Sequence, residues 1–176
     1  APDVVAGIKI SNPSKLLYPE AGITKLDAAR YYEAVAEWIL PHLENRPLTL
    51  VRCPSGWEKS CFFQKHPDQK VSDVIERVKV KESKGTTLYM MANSPAALIS
   101  LLQMGAIELH PFGSRSPKLS CPDMIVFDFD PADDIEWKEL VDAVRLLKTL
   151  LEELGLESFI KTTGGKGLHV VLPVRP

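Results

Sequence analysis

The chain of 176 residues contains no apolar run near the ~20 residues that a membrane-spanning helix needs, and its start, Ala1-Pro2-Asp3, has no basic stretch leading into an apolar one. Neither a span nor a secretory leader is expected. Cysteine is scarce: Cys53, Cys61 and Cys121 form an odd set without CxxC or Cys/His metal spacing, so they read as buried free thiols in a reducing, cytoplasmic setting. Charge of one sign is also lacking, since 21 Lys/Arg and 23 Asp/Glu leave a net −2. That average conceals a division, because residues 1–122 carry 15 Lys/Arg against 12 Asp/Glu whereas residues 123–176 carry 6 against 11. A nucleic-acid partner is not excluded, as phosphate contacts need only a local basic surface. Core material is ordinary in amount: 45% hydrophobic residues suffice for a single domain over residues 1–176.

Local patterns give the elements. Thr24 with Asp27 three residues on resembles a capping box, and Ala28, Ala29, Tyr32, Val35, Ala36, Ile39 and Leu40 recur at helical spacing up to Pro41. Residues 48–51 and 61–63, with Pro54-Ser55-Gly56 between them, predict a hairpin; residues 77–81 and 86–91 predict another. Ser94 suits a helix N-cap with Pro95 at the first helical position, and the stripe Ala97, Leu98, Leu101, Leu102 runs to Gly105. Residues 106–110 and 124–127 read as strands, residues 137–154 as a long helix, and residues 158–161 and 168–172 as two further strands. Strands interleaved with three helices indicate an α+β, mixed α/β domain.

Three constellations can carry chemistry. Asp128 and Asp130 lie at i and i+2 where the apolar strand 124–127 ends, so their carboxylates share a face and repel unless a cation lies between them. Mg²⁺ or Mn²⁺, which take oxygen ligands and share them with phosphates, suit such a pair. Thr163-Gly164-Gly165-Lys166-Gly167-Leu168-His169 combines small residues that free backbone amides with a lysine and a histidine; it is not a P-loop, and alone it is as readily a hairpin turn as a phosphate site. Phe62-Phe63 lies between Lys59 and Lys65-His66, and in a strand one ring faces the core while the other points out, where it can stack on a base. Lys15 and Lys25 flank the turn 18–22, and His110 precedes Pro111; solvated charges and a structural histidine are the plainer readings of these.

Taken in order, residues 12–19, 22–25, 46–54, 62–66, 110–111, 128–131 and 161–170 resemble the polymerase domain of bacterial DNA ligase D-type end-joining proteins, within the archaeo-eukaryotic primase superfamily. The resemblance implies a primase-polymerase-like mixed sheet core with flanking helices and hairpins. It implies addition of nucleotides, ribonucleotides preferred, to 3′ ends at double-strand breaks during non-homologous end joining. By position, Asp128 and Asp130 resemble two of three metal-binding catalytic aspartates. Thr163 (serine in the family), Gly164, Gly165, Lys166, His169 and His110 resemble the nucleotide-binding set. Asn12, Lys15 and Lys25 resemble the residues that hold a DNA 5′-phosphate, Phe62 and Phe63 the template-stacking pair, and Arg52 and Lys65 secondary DNA contacts. The implied partners are DNA with 5′-phosphorylated ends or gaps, nucleoside triphosphates, a ligase domain and the Ku end-binding protein.

The family continues beyond the stretch that matches Val174-Arg175-Pro176, and its third aspartate and C-terminal part lie there, so the chain is expected to bind its ligands and to catalyse poorly by itself. Two alternatives stand beside this reading. One is a non-catalytic DNA-end-binding module. The other takes Asp128-Phe129-Asp130-Pro131 as the nucleophile and acid of a haloacid-dehalogenase-like phosphatase, although Pro131-Ala132 replaces the glycine that usually follows.

Overall fold

The computed structural model describes residues 2–68 and 71–175, and its contacts divide the chain into two units, Ala1–Pro117 and Lys118–Pro176. In the first, two short antiparallel ribbons come first: β1 (Val4–Val5) with β2 (Ile8–Lys9), and β3 (Leu16–Tyr18) with β4 (Ile23–Thr24). Helices α1 (Lys25–Ala34) and α2 (Ala36–Leu43) follow. An antiparallel sheet is then built from β5 (Leu48–Arg52), β6 (Phe62–Gln64), β7 (Glu76–Glu82), β8 (Gly85–Met91) and, after α3 (Pro95–Gln103), β9 (Ala106–Pro111). β5 organises it, pairing with β9 from Leu48↔Pro111 to Arg52↔Ala106, with β6 at residues 50–52, and with β8 at Leu48↔Met90.

The expected caps are present. The Thr24 hydroxyl accepts from the Asp27 N–H while Asp27 returns the bond to the Thr24 N–H, and Ser94 accepts from the Ala97 N–H ahead of Pro95. The helix after Thr24 is not continuous to Pro41. It breaks at Val35 (φ −98°, ψ 6°), and Pro41 lies inside α2. The halves serve different cores: Ala28 and Ala29 of α1 pack with Val5, Ile10, Leu17, Ile99 and Leu102, whereas Ala36 and Leu43 of α2 pack with Leu48, Leu50, Met90, Leu98 and Leu101. A straight helix presents one stripe, and two separate packing surfaces require the chain to turn between them.

The second unit is a three-stranded antiparallel sheet in the order β10 (Met124–Phe129), β12 (Leu168–Pro173), β11 (Phe159–Thr162), with α4 (Trp137–Glu153) connecting β10 to β11. Leu140, Val144 and Leu151 of α4, at helical spacing, cluster with Leu168, Val170 and Leu172 of β12, at strand spacing. Each such side chain contributes about 1.5–3 kcal/mol on burial, so this contact fixes β12 and the turn that precedes it.

Two expectations are corrected here. Cys53 and Cys61 are not free thiols but are joined as a disulfide, and Cys121 is free and exposed. The β5–β6 turn returns the chain on itself across eight residues, a closure that cysteine spacing alone does not reveal. Nor does either ring of Phe62-Phe63 enter the core: both are exposed, at 46% and 72%, on a three-residue strand at the edge of the sheet.

Candidate nucleotide and DNA-end site

In the second unit, β10 carries Asp128 directly opposite His169 of β12, and Asp130 follows one residue past the end of the strand. His169 Nε2 lies 3.3 Å from Asp128 Oδ1. The turn before β12 brings Lys166 to the same place, with Nζ 3.1 Å from Asp133 Oδ1 and 4.0 Å from Asp130 Oδ1. Both acidic side chains of the pair stay well exposed, at 65% and 73%. The turn is held by Thr163, whose Oγ1 donates to the Gly167 carbonyl at 3.0 Å and accepts from the Gly165 N–H at 3.3 Å. The Gly165 amide is therefore used inside the turn, and Gly164 supplies its bend with φ +89°.

These residues suit a divalent ion of the hard, oxygen-seeking kind: two adjacent carboxylates furnish part of the roughly six oxygens that Mg²⁺ takes, leaving positions for phosphate and water. Lys166 stands where it offsets the carboxylate repulsion and where an incoming phosphate would meet a cation, and His169 lies beside Asp128.

In the first unit, the β3–β4 ribbon makes Lys15 and Lys25 neighbours, with the Lys25 N–H donating to the Lys15 carbonyl at 2.7 Å. Asn12 takes the left-handed conformation (φ 51°) that asparagine tolerates, and its carbonyl accepts the Lys15 N–H at 3.0 Å. The Lys15 ammonium donates to the Pro54 carbonyl. Lys25 is only 7% exposed, and its Nζ donates to the Gln103 carbonyl at 2.9 Å. Burial, helped by the neighbouring Lys15 charge, pulls the Lys25 pKa below the ordinary lysine value.

In the same unit, β6 presents its two rings differently. Phe62 lies over the Arg52 guanidinium, 5.4 Å from carbon to ring centroid. Phe63 sits 6.2 Å from the His110 ring, and His110 Nε2 pairs with Glu108 Oε2 at 2.8 Å. Arg52, one of the secondary DNA candidates, directs its donors within the chain: Nε and Nη2 both donate to the Met104 carbonyl, and Nη1 donates to Gln64 Oε1 at 2.6 Å. Its side chain is 16% exposed, so it supports Phe62 from within. Lys65 is exposed, and its charge helps hold the Glu82 carboxyl below its ordinary value, after the hydrogen bond from Tyr89.

The family model for the LigD primase-polymerase domain matches residues 24–176. The chain belongs to that family. A multifunctional non-homologous end joining protein LigD from Pseudomonas aeruginosa is 37% identical over 169 residues, covering 96% of this chain and 20% of that protein. The bifunctional LigD of Bacillus subtilis is 29% identical, covering 96% and 27%. A solved polymerase domain from Mycobacterium tuberculosis Ligase D, in complex with DNA, superposes with a TM-score of 0.89 at 33% identity, over 96% of this chain and 62% of that one. The chain thus spans about a fifth to a quarter of the length of these full LigD proteins.

Membership in the LigD primase-polymerase family confirms the mixed α/β fold and sets aside the phosphatase alternative. Among the described residues no helix is long and apolar enough to cross a membrane. Within this LigD-type domain the second unit brings Asp128, Asp130, Thr163, Lys166 and His169 together, and the first brings Asn12 to Lys15 and Lys25, and Phe63 to His110. Sequence reasoning missed Ser11, Gln103, Glu108 and Asp133. Glu108 was accessible to it, since i and i+2 on a strand share a face with His110; Gln103 lies 92 residues from the Ser11 that it contacts and leaves no local signal.

Proposed function

We propose that this domain is a DNA-end nucleotidyltransferase of end joining, which grips a 5′-phosphorylated DNA end through Asn12, Lys15 and Lys25 and a metal-bound nucleoside triphosphate through Asp128, Asp130, Lys166 and His169. The observation that carries it is the convergence of two carboxylates with a lysine and a histidine where two neighbouring strands of one small sheet meet the turn before β12. Mg²⁺ or Mn²⁺, when bound, supplies charge neutralisation on the triphosphate. Asp128 and Asp130 hold that ion. Lys166 exchanges its carboxylate partners for phosphate, and the Thr163-pinned turn keeps Lys166 and His169 on one side of β12. Phe63, exposed beside His110, offers a stacking face for a template base, and Phe62 is held ready by Arg52.

Ribonucleotide preference, and a ligase domain and Ku as partners, belong to the same proposal. Their support is the similarity to multifunctional LigD proteins, not a contact in this chain. Primer extension on recessed, 5′-phosphorylated DNA with Mn²⁺ and either ribo- or deoxyribonucleotides is the test. Incorporation, however slow, that is abolished in Asp128→Ala and favours ribonucleotides is the expected result. Tight end binding without any nucleotide addition or Mn²⁺-dependent nucleotide binding would leave an end-binding module instead.

A further inference from the structure

Gln103 is the last residue of α3, and its carbonyl is one of the four that a helix leaves without an internal partner; the Lys25 ammonium occupies it at 2.9 Å. The Gln103 side chain turns to the residue before Asn12. The Ser11 N–H donates to Gln103 Oε1 at 3.2 Å, and because a backbone N–H can only donate, this bond decides which amide atom faces which way. Nε2 is then the atom that donates to Ser11 Oγ, at 2.6 Å, and Lys25 Nζ donates to the same Oγ at 3.4 Å.

A hydroxyl oxygen has two acceptor positions and one proton. Both acceptor positions of Ser11 face donors from within the protein, so its proton is left to point elsewhere, and the residue is exposed. Close by are two lysines, and among the described residues neither ammonium lies within ion-pair distance of a carboxylate, even though Lys25 is almost fully buried. A hydroxyl with an outward proton next to a buried, uncompensated ammonium is a donor set for an anion.

We propose that the Ser11 hydroxyl is a direct ligand of the DNA 5′-terminal phosphate and that Gln103 is the positioning residue which aims it. The proposal rests on the reading of Lys15 and Lys25 as the 5′-phosphate pocket. A hydrogen bond to a charged phosphate oxygen is strong enough for its loss to weaken binding on the order of tenfold. That loss is confined to ends that carry the phosphate.

The test compares recessed DNA with a 5′-phosphate and the same DNA with a 5′-hydroxyl, by fluorescence anisotropy, on the full chain and on Ser11→Ala, Ser11→Thr, Gln103→Met and Lys15→Ala. Ser11→Ala and Gln103→Met are expected to lower the phosphate-to-hydroxyl affinity ratio about tenfold, with binding to the 5′-hydroxyl DNA and the urea midpoint unchanged, and Ser11→Thr to restore it. An unchanged ratio in Ser11→Ala, with Lys15→Ala erasing it, overturns the Ser11 assignment and leaves the lysine pocket standing. No phosphate preference in the unaltered protein overturns the pocket and the assignment together. A reduced ratio in Ser11→Ala but not in Gln103→Met overturns the positioning role, and equal losses on both DNAs make the cluster structural.

Discussion

Lys25 and Arg52 show what a basic residue in this chain is free to do. Arg52 directs its donors to Met104 and Gln64 and acts as a brace; Lys25 is more deeply buried, and beside Lys15 its ammonium meets, among the described residues, only a helix-end carbonyl and a serine. Burial first, and the Lys15 charge second, lower the Lys25 pKa. Anion binding needs the protonated form. The preference for a 5′-phosphate is therefore expected to fade as pH rises, beginning at a lower pH than an ordinary lysine would give, and Lys25→Arg, whose guanidinium stays charged, is expected to flatten that dependence. For folding the sign is opposite: the unfolded chain holds the Lys25 proton more tightly, so raising pH through the lowered pKa removes a cost. Anisotropy titrations of both DNAs across this range, with denaturant melts in parallel, check both directions. A pH-independent ratio in the unaltered protein would show that Lys25 does not meet the phosphate.

At the scale of elements, the turn between β11 and β12 contains two glycines with opposite demands. A Cβ on Gly167 would stand 2.7 Å from the backbone oxygen of Phe129, whereas the nearest atom to one on Gly165 is Thr163 Oγ1 at 3.9 Å. Alanine usually stabilises a loop by about 0.4–1 kcal/mol through the unfolded chain, and that gain is expected at Gly165. At Gly167 overpacking wins, with a cost of about 1–3 kcal/mol, because β12 must move from the end of β10 that carries Asp128 and Asp130. Urea melts of Gly165→Ala and Gly167→Ala are expected to shift in opposite directions, and Gly167→Ala to lose Mn²⁺-dependent nucleotide binding as well. What was legible in the sequence follows the same division between local and distant causes. The caps at Thr24 and Ser94, the two hairpins and the Asp128–Asp130 strand end are decided by neighbours in the chain. The helix break at Val35, the Cys53–Cys61 bond and the exposure of both phenylalanines are decided by which core or edge the segment reaches, and periodicity does not report that.

Over the whole molecule, charge and chemistry are distributed unevenly. Residues 118–176 carry 7 Lys/Arg against 11 Asp/Glu, so the triphosphate grip proposed above would rest on Lys166, His169 and an ion on the aspartates and not on a general positive field. Residues 1–117 carry 14 against 12, and the phosphate contacts proposed for them are concentrated at Lys15 and Lys25. Each cluster is closed by contacts inside its own unit: Lys166 by Asp133 and Asp130, Lys15 by Pro54, Lys25 by Ser11 and Gln103. Substitutions without shared partners add to within about 0.3–0.5 kcal/mol. Lys15→Ala is expected to weaken binding of 5′-phosphorylated ends about tenfold and to leave Mn²⁺-nucleotide affinity alone, since one charge-assisted contact to phosphate is lost. Lys166→Ala is expected to do the reverse, and the double variant to show the two losses side by side. DNA anisotropy without nucleotide, and a fluorescent nucleotide titration without DNA, read the two affinities separately. If Lys166→Ala weakened end binding as much as nucleotide binding, the two clusters would be parts of one phosphate-binding surface, and the division of labour argued for here would fail.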